Sequence, residues 1–271
     1  MKVRRPALDF SQTPAHWAKI PEYAQFYNAS SLWIPALERF LNRVMARVLS
    51  EYKGSDRLSP KLREEVRTFI RQESNHYALH DAVNSILPRN GYDVARFEAL
   101  FEAEFETLFR TKSLEFLTAY CEGFETLGPP AAIKWLDESE HMLVGARPEV
   151  VRLWKWHLVE EYEHRTVCHQ VFHAVHGGYA LRIRGFLYQF RQLQGFSRMV
   201  RNYLLEVDRA GMSPAEREES VQREKALAKE LARTMLPRLV KVFSPYYDPR
   251  RSPQPQMYKS YMAEIEAAIA A

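Results

Sequence analysis

Residues 154–168 read Trp-Lys-Trp-His-Leu-Val-Glu-Glu-Tyr-Glu-His-Arg-Thr-Val-Cys, and this stretch carries the strongest structural signal in the sequence. Residues three, four and seven apart share one face of a helix. From Val150 onward that face carries, in order, Val150, Leu153, Trp154, His157, Glu161, His164, Cys168, Val171 and Val175. It is apolar at both ends and ionisable in its middle, and such groups are costly to bury unless they pair or bind a metal. The spacing therefore predicts a core helix whose polar centre either bonds to neighbouring helices or holds a metal ion.

A second stretch repeats this design. Ser59 is a natural N-cap and Pro60 fits the first turn of a helix that extends to about residue 87. Its apolar stripe is interrupted in the middle by Glu and His, reading Leu62, Val66, Phe69, Glu73, His76, His80, Val83 and Leu87. Two Glu-x-x-His pairs, Glu73/His76 and Glu161/His164, therefore lie mid-helix on separate helices. Helical bundles that bind two iron or manganese ions use this pair twice, so the sequence predicts a dinuclear metal site.

Such a site also takes one carboxylate from each of two other helices. Glu38 is the best candidate on a first helix at about 29–52, although it could instead be an exposed side chain beside Arg39. The tract that follows residue 94 offers two candidates, Glu115 and Glu122, and they share one helical face. The pattern alone does not decide which of the two would supply the carboxylate.

His157 precedes Glu161 by one turn, so it could reach the same metal as a third imidazole. The alternative is a histidine that orients a ligand carboxylate without touching metal. His80 stands one turn beyond the first pair, and we expect it beside the site and not on the metal. A third pair, Glu138/His141, lies in a short helix between Gly-Pro-Pro and Gly145, and we expect it at the surface or near the ligands.

The chain as a whole favours an all-α fold, because long helical periods dominate and only 10 glycines are present. We expect one domain over 1–271, with a core bundle at about 29–176 and a C-terminal helical extension at about 180–271. The predicted helices span about 29–52, 60–87, 94–127 with a break near 110–112, 131–143, 148–176, 180–209 and 213–243, followed by a last short helix. Residues 1–27 are expected to form an arm with short helical turns.

Composition excludes several classes of protein. Two cysteines make no disulfide framework, and we find neither a secretion signal nor an 18-residue apolar run, so we expect a cytoplasmic protein. The formal charge of +4 is spread along the chain and does not call for nucleic acid. Residues 181–205 mix Arg with aromatics, which favours a helix packed on the bundle over one lying on a membrane surface.

Four segments carry a resemblance to a known family: 31–40 (Ser-Leu-Trp-Ile-Pro-Ala-Leu-Glu-Arg-Phe), 69–80, 114–119 and 156–164. They resemble a bacterial family labelled "predicted metal-dependent hydrolase", which belongs with ferritin-like bundles. The resemblance implies a ferritin-like four-helix bundle with additional N- and C-terminal helices, and it implies Glu38 and Glu115 as the two lone carboxylates. The chain departs from the family pattern at Leu37, where we expect Gly. The trio His157, Glu161 and His164 is also similar to the third-histidine site of the p-aminobenzoate N-oxygenases.

A buried carboxylate and imidazole site suits iron or manganese better than structural zinc. We therefore predict two iron ions, with manganese as the alternative, and an oxidase or oxygenase that activates O₂ on a small organic substrate. The alternative is a metal-dependent hydrolase that uses a metal-bridging hydroxide as the nucleophile. A non-catalytic metal-binding bundle is the third hypothesis. A homodimer is compatible with each of them.

Overall fold

The computed structural model describes residues 1–270, and these form helices connected by loops, with no strand in that range. This confirms the all-α prediction. The α-helices are α1 (Pro21–Glu51), α2 (Pro60–Asn84), α3 (Ile86–Arg89), α4 (Ala95–Thr111), α5 (Leu114–Glu125), α6 (Gly128–Glu138), α7 (Glu140–Leu143), α8 (Pro148–His164), α9 (Val167–Val175), α10 (Tyr179–Arg209), α11 (Pro214–Leu239) and α12 (Tyr258–Ala270). Two short 3₁₀ turns, Val240–Phe243 and Pro249–Arg251, lie between α11 and α12.

The bundle is built around α1, α2, α5 and the consecutive pair α8 and α9. Helix α1 packs along α2 and also contacts α5, while α2 contacts both α8 and α9, and α9 packs on α5. The remaining helices cover this core: α4 and α10 pack on α1, α6 and α12 pack on α8, and α10 runs along α5. The arrangement leaves the middle of the core enclosed by α1, α2, α5 and α8, where the two Glu-x-x-His pairs lie.

Several helix boundaries differ from the predictions. The C-terminal ends of α2 and α11 come a few residues early, and the predicted helix 131–143 is divided at Ser139 into α6 and α7. Helix α1 begins at Pro21, eight residues early, and its added turns bury Tyr23 and Tyr27 against Trp135. Helix α6 begins at Gly128 because prolines are tolerated in a first turn, whereas the Gly-Pro-Pro run looked like a stop. The predicted helix 148–176 is two helices, since the chain turns at 165–166 between α8 and α9.

Helices α5 and α10 approach so closely that glycine is required at the contact. A Cβ placed on Gly185 would lie 2.6 Å from the backbone carbonyl of Ala119, and one on Gly123 would lie 2.7 Å from Phe186 Cα. We expect Gly185→Ala to lower the free energy of unfolding by about 1–3 kcal/mol, because backbone must move to admit the methyl group. Denaturant unfolding followed by circular dichroism measures this.

Gly195 on the same helix provides the matched control. A Cβ there would meet nothing within 4 Å, so Gly195→Ala should raise stability by about 0.5–1 kcal/mol through the better helix propensity of alanine. Equal effects of the two substitutions would contradict the close contact between α5 and α10.

No helix within residues 1–270 combines the length and the apolar character that crossing a membrane requires.

Candidate metal centre

Six of the seven predicted ligands meet in the middle of the core. Helix α1 contributes one of them, α2 two and α8 three. All six side chains are buried, with no residue more than 3% exposed: Glu38, Glu73, His76, His157, Glu161 and His164. Each pair separated by three or four residues faces inward from one helix, as the periodicity predicted.

The first group of possible ligands consists of Glu38, His76, His157 and Glu161. His157 Nε2 lies 3.3 Å from Glu161 Oε1 and 3.8 Å from Glu38 Oε1. His76 Nδ1 lies 3.7 Å from Glu161 Oε1 and 3.9 Å from Glu38 Oε1. Atoms bound at about 2.1 Å to one ion lie roughly 3–4 Å from one another, so these spacings fit a metal ion.

The second group consists of Glu73, His76, Glu161 and His164. His164 Nε2 lies 3.1 Å from Glu73 Oε1 and 3.7 Å from Glu161 Oε1, and His76 Nδ1 lies 3.7 Å from Glu73 Oε2. His76 and Glu161 belong to both groups. A carboxylate can bridge two ions while a single imidazole nitrogen binds one, so two ions could share Glu161.

The donor atoms themselves show that a cation fits here. Several buried atoms of the cluster have no hydrogen-bond partner within residues 1–270: both carboxylate oxygens of Glu38, both of Glu73, Glu161 Oε1, His76 Nδ1 and His164 Nε2. Buried polar atoms without partners cost free energy and are rare in folded proteins. A cation at the centre of the cluster would satisfy these atoms together.

In His76 and His164, the ring nitrogen that faces away from the cluster forms a hydrogen bond to a carboxylate. His76 Nε2 donates to Glu160 Oε2 and His164 Nδ1 donates to Glu125 Oε2, both at 3.1 Å. Metal-binding histidines characteristically use the second nitrogen in this way, which fixes the ring and directs the other nitrogen at the metal. Sequence reasoning missed both outer carboxylates.

The third imidazole is held by another histidine. His157 Nδ1 lies 2.9 Å from His80 Nε2, which leaves His157 Nε2 facing the carboxylates of the cluster. His157 is thus placed as a possible ligand, and His80 lies behind it, beside the site as expected. The rings of His76 and His157 are stacked at 4.4 Å, and Trp156 lies edge-on to His76 at 4.8 Å.

The metal-free cluster contains more carboxylates than it can easily ionise. Burial, together with the charges of Glu73 and Glu161, raises the pKa of Glu38 well above its ordinary value. Burial and the charge of Glu161 raise the pKa of Glu125 to about 8. Burial also acts to raise the pKa of Glu161, but the pKa is lowered because neighbouring groups outweigh burial, and the charge of His164 has the largest effect among them. Divalent cations would relieve this repulsion between like charges.

The N-terminal arm supplies a positive charge at the edge of this region. Arg4 is buried, and its Nη1 lies 3.4 Å from Glu160 Oε1 and 3.1 Å from Glu163 Oε2. Because Glu160 accepts a hydrogen bond from His76, the arm is connected to a candidate ligand. Arg4 lies 156 residues from Glu160 in the sequence, and no local pattern could have shown this contact.

The prediction of Glu115 as a ligand needs correction. Ser113 caps α5, so Glu115 lies in the first turn of that helix, partly exposed and outside both groups of possible ligands. Glu125 is the residue of α5 that reaches the cluster, about 15 Å farther along the helix axis. Glu122, the other candidate, instead accepts from His169 Nδ1 at 3.1 Å and lies near Arg182.

The third Glu-x-x-His pair lies away from the cluster. Glu138 pairs with Arg238 of α11, and the His141 side chain is 59% exposed with Glu230 as its ionic neighbour. Glu138 ends α6, which packs on α8, and His141 lies in the following helix α7, so this pair does not reach the centre of the bundle.

Gly128 at the start of α6 packs directly against Glu161. A Cβ at Gly128 would lie 3.1 Å from Glu161 Oε2 and 3.3 Å from Glu161 Cβ. We expect Gly128→Ala to displace the Glu161 carboxylate by a few tenths of an ångström and to weaken metal binding roughly 10-fold. Metal titration of the apoprotein by calorimetry measures this. Gly211→Ala, where a Cβ meets nothing within 4 Å, is the control and should leave affinity unchanged.

The fold and the site define a metal-binding helical bundle with a buried carboxylate and histidine centre. Residues 2–252 match the family described as "Predicted metal-dependent hydrolase", and the chain belongs to that family. Comparison with curated proteins and with solved structures gave no match. The resemblance of the His157 trio to p-aminobenzoate N-oxygenases therefore stays a prediction.

Proposed function

We propose that this protein is a hydrolase that depends on two metal ions held by Glu38, Glu73, His76, His157, Glu161 and His164. The observation that carries the proposal is the set of buried, unpartnered donor atoms that converge from α1, α2 and α8. Membership of the predicted metal-dependent hydrolase family supports hydrolysis as the reaction.

The protein's own side chains would divide the work as follows. Glu161 lies between the two groups of ligands and would hold both ions at a fixed separation. Glu125 and Glu160 keep the rings of His164 and His76 from rotating, since each accepts a hydrogen bond from the ring nitrogen that faces away from the cluster. Bound divalent cations would polarise the scissile group and lower the pKa of a water molecule.

The burial of the cluster limits the kind of substrate. Glu38, Glu73, His76 and His164 are inaccessible to solvent, and the slight exposure of the cluster is confined to His157 and Glu161. A substrate would approach from this side, beside Gly128, and only a small group could enter without movement of α6. We therefore propose a small organic substrate.

Oxidation by O₂ at two iron ions is the second candidate, and the same burial favours it. A diatomic molecule needs little space, and Trp156 and Phe69 pack edge-on to the rings of His76 and His164. Such apolar walls protect an oxidant from water and from side reactions. Under this proposal iron would be the resident metal, whereas hydrolysis would also run with manganese or zinc.

One experiment separates the candidates. Apoprotein loaded with Zn²⁺, Mn²⁺ or Fe²⁺ is assayed anaerobically against small chromogenic esters, phosphoesters and amides, and O₂ uptake is measured separately. Hydrolysis that needs metal, needs no O₂ and is lost in Glu161→Ala supports the main proposal. O₂ uptake that needs Fe²⁺, without hydrolysis, replaces it with the second candidate. Bound metal with neither activity contradicts both candidates and leaves a non-catalytic metal bundle.

A further inference from the structure

A proline in α1 leaves one backbone carbonyl without its helical partner. Pro35 has no N–H, so the carbonyl oxygen of Ser31, four residues earlier, receives no helical hydrogen bond from it. Asn84 Nδ2 from α2 donates to this oxygen instead, at 3.0 Å. A backbone carbonyl can only accept, so the contact fixes which way the Asn84 amide points.

The amide in turn fixes the direction of the next hydrogen bond. Because Asn84 Nδ2 donates to the Ser31 carbonyl, Asn84 Oδ1 faces the Ser31 hydroxyl. The hydroxyl donates to Oδ1 at 2.6 Å. The hydroxyl proton is thereby used, so Ser31 Oγ accepts from His80 Nδ1 at 2.8 Å. All three side chains are buried, with exposed fractions of 0–5%.

The position of the proton on His80 then determines the tautomer of His157, which belongs to the metal cluster. With the proton on Nδ1, neutral His80 has a lone pair on Nε2, which accepts from His157 Nδ1 at 2.9 Å. The opposite placement would make His80 a buried cation, and its hydrogen-bond partners within residues 1–270 are Ser31 Oγ and His157 Nδ1, neither of which is a carboxylate. Such an unpaired buried charge is costly. The proton therefore belongs on His157 Nδ1, which leaves the Nε2 lone pair facing Glu38 and Glu161.

We propose that Asn84, Ser31 and His80 form a tautomer relay that holds His157 with a free Nε2, ready to bind a metal ion. Pro35 begins the relay by freeing the Ser31 carbonyl. The relay residues are positioning residues, because they lie outside both groups of possible ligands. The metal-binding part of this inference rests on the proposed function, whereas the tautomer assignment stands without any metal.

The test reads the tautomer directly. Metal-free protein labelled with ¹⁵N-histidine is studied by long-range ¹H–¹⁵N correlation, with the His157 signals assigned by their loss in His157→Gln. The relay predicts the Nδ1–H tautomer for His157 in the unsubstituted protein. Asn84→Ala frees the Ser31 hydroxyl to donate to His80, so the Nε2–H tautomer of His157 should become populated. Ser31→Ala should act in the same direction, because it removes the acceptor for His80 Nδ1.

Metal affinity provides the second readout. Asn84→Ala and Ser31→Ala should weaken one of the two ions about 10- to 100-fold. Ser30→Ala is the matched control, since its hydroxyl bonds only to Phe26 O of the same helix, and it should change neither tautomer nor affinity.

Two results would overturn the relay. One is the Nε2–H tautomer for His157 in the unsubstituted protein, and this measurement does not depend on the folding of any variant. The other is an Asn84→Ala or Ser31→Ala protein that matches Ser30→Ala in both readouts. If the Nδ1–H tautomer is found and the protein binds no metal, the relay assignment holds and the proposed function is wrong.

Discussion

Glu161→Ala should abolish binding at both metal positions. Glu161 Oε1 lies 3.3 Å from His157 Nε2 and 3.7 Å from both His76 Nδ1 and His164 Nε2, and the residue belongs to both groups of ligands. Its loss would remove the carboxylate that the two proposed ions share. Affinity should therefore fall by at least about 100-fold, more than the loss typical of a residue that only hydrogen-bonds to a ligand. Elemental analysis of reconstituted, desalted protein measures the metal content.

The controls separate a lost ligand from a lost fold. Glu161→Gln keeps the shape of the side chain without its charge and should also lose metal. Glu138→Ala removes the other Glu-x-x-His glutamate, which pairs with Arg238 at the surface, and should retain both ions. Two ions per chain in well-folded Glu161→Ala protein would remove the basis for the proposed centre.

Metal removal should lower the melting temperature more than any single surface substitution. The apoprotein buries three carboxylates whose mutual repulsion and missing partners oppose folding. A ligand present at 1,000 times its dissociation constant stabilises the folded state by about 4 kcal/mol. At roughly 2–4 °C per kcal/mol for a chain of this size, the melting temperature should rise by roughly 8–16 °C on loading.

The rise in melting temperature on metal loading should become smaller as the pH falls, because protons compete with metal for the imidazole nitrogens and the carboxylates. Differential scanning calorimetry of apoprotein and loaded protein between pH 8 and pH 5, values chosen around the ordinary histidine pKa of about 6.5, measures this. Identical melting temperatures with and without metal at pH 8, or an increment that grows at low pH, would contradict metal binding at buried histidines and glutamates.

Local periodicity predicted most of the bundle and failed where a boundary lacks a local signal. The break between α4 and α5 falls at residues 112–113, next to the predicted break near 110–112, and Ser113 caps the helix that follows. The turn between α8 and α9 was missed because residues 165–166 contain neither Gly nor Pro, so the apolar period continues across it. The early start of α1 depends on Tyr23 and Tyr27 packing against Trp135, more than 100 residues away.

The cluster was predictable to the extent that its ligands share helices. The two Glu-x-x-His pairs and His157 follow from the spacing along α2 and α8, and all five face the core. Glu125 has only a faint sequence signal, because it is one of three glutamates in the largely apolar segment 114–127. Its contact with His164 joins residues 39 apart. Glu115 was chosen because a family resemblance favoured it, and the register of α5 turns it away from the cluster.

The residues that orient the ligands through hydrogen bonds could not be predicted, because these contacts join separate parts of the chain. Glu160 is adjacent to a ligand in sequence, and one helical step turns it to the far side of His76. The Asn84 contact depends on Pro35 of another helix, and only the folded structure shows that the freed carbonyl faces an amide.

Anomalous diffraction from crystals of the protein loaded with Fe²⁺, Mn²⁺ or Zn²⁺ would locate the bound ions directly. We expect two peaks at the absorption edge of the added metal, both enclosed by Glu38, Glu73, His76, His157, Glu161 and His164, with Glu161 touching each ion. A fully loaded crystal with no peak inside this cluster, or with its metal on Glu138 and His141, would contradict a dinuclear centre in the core of the bundle.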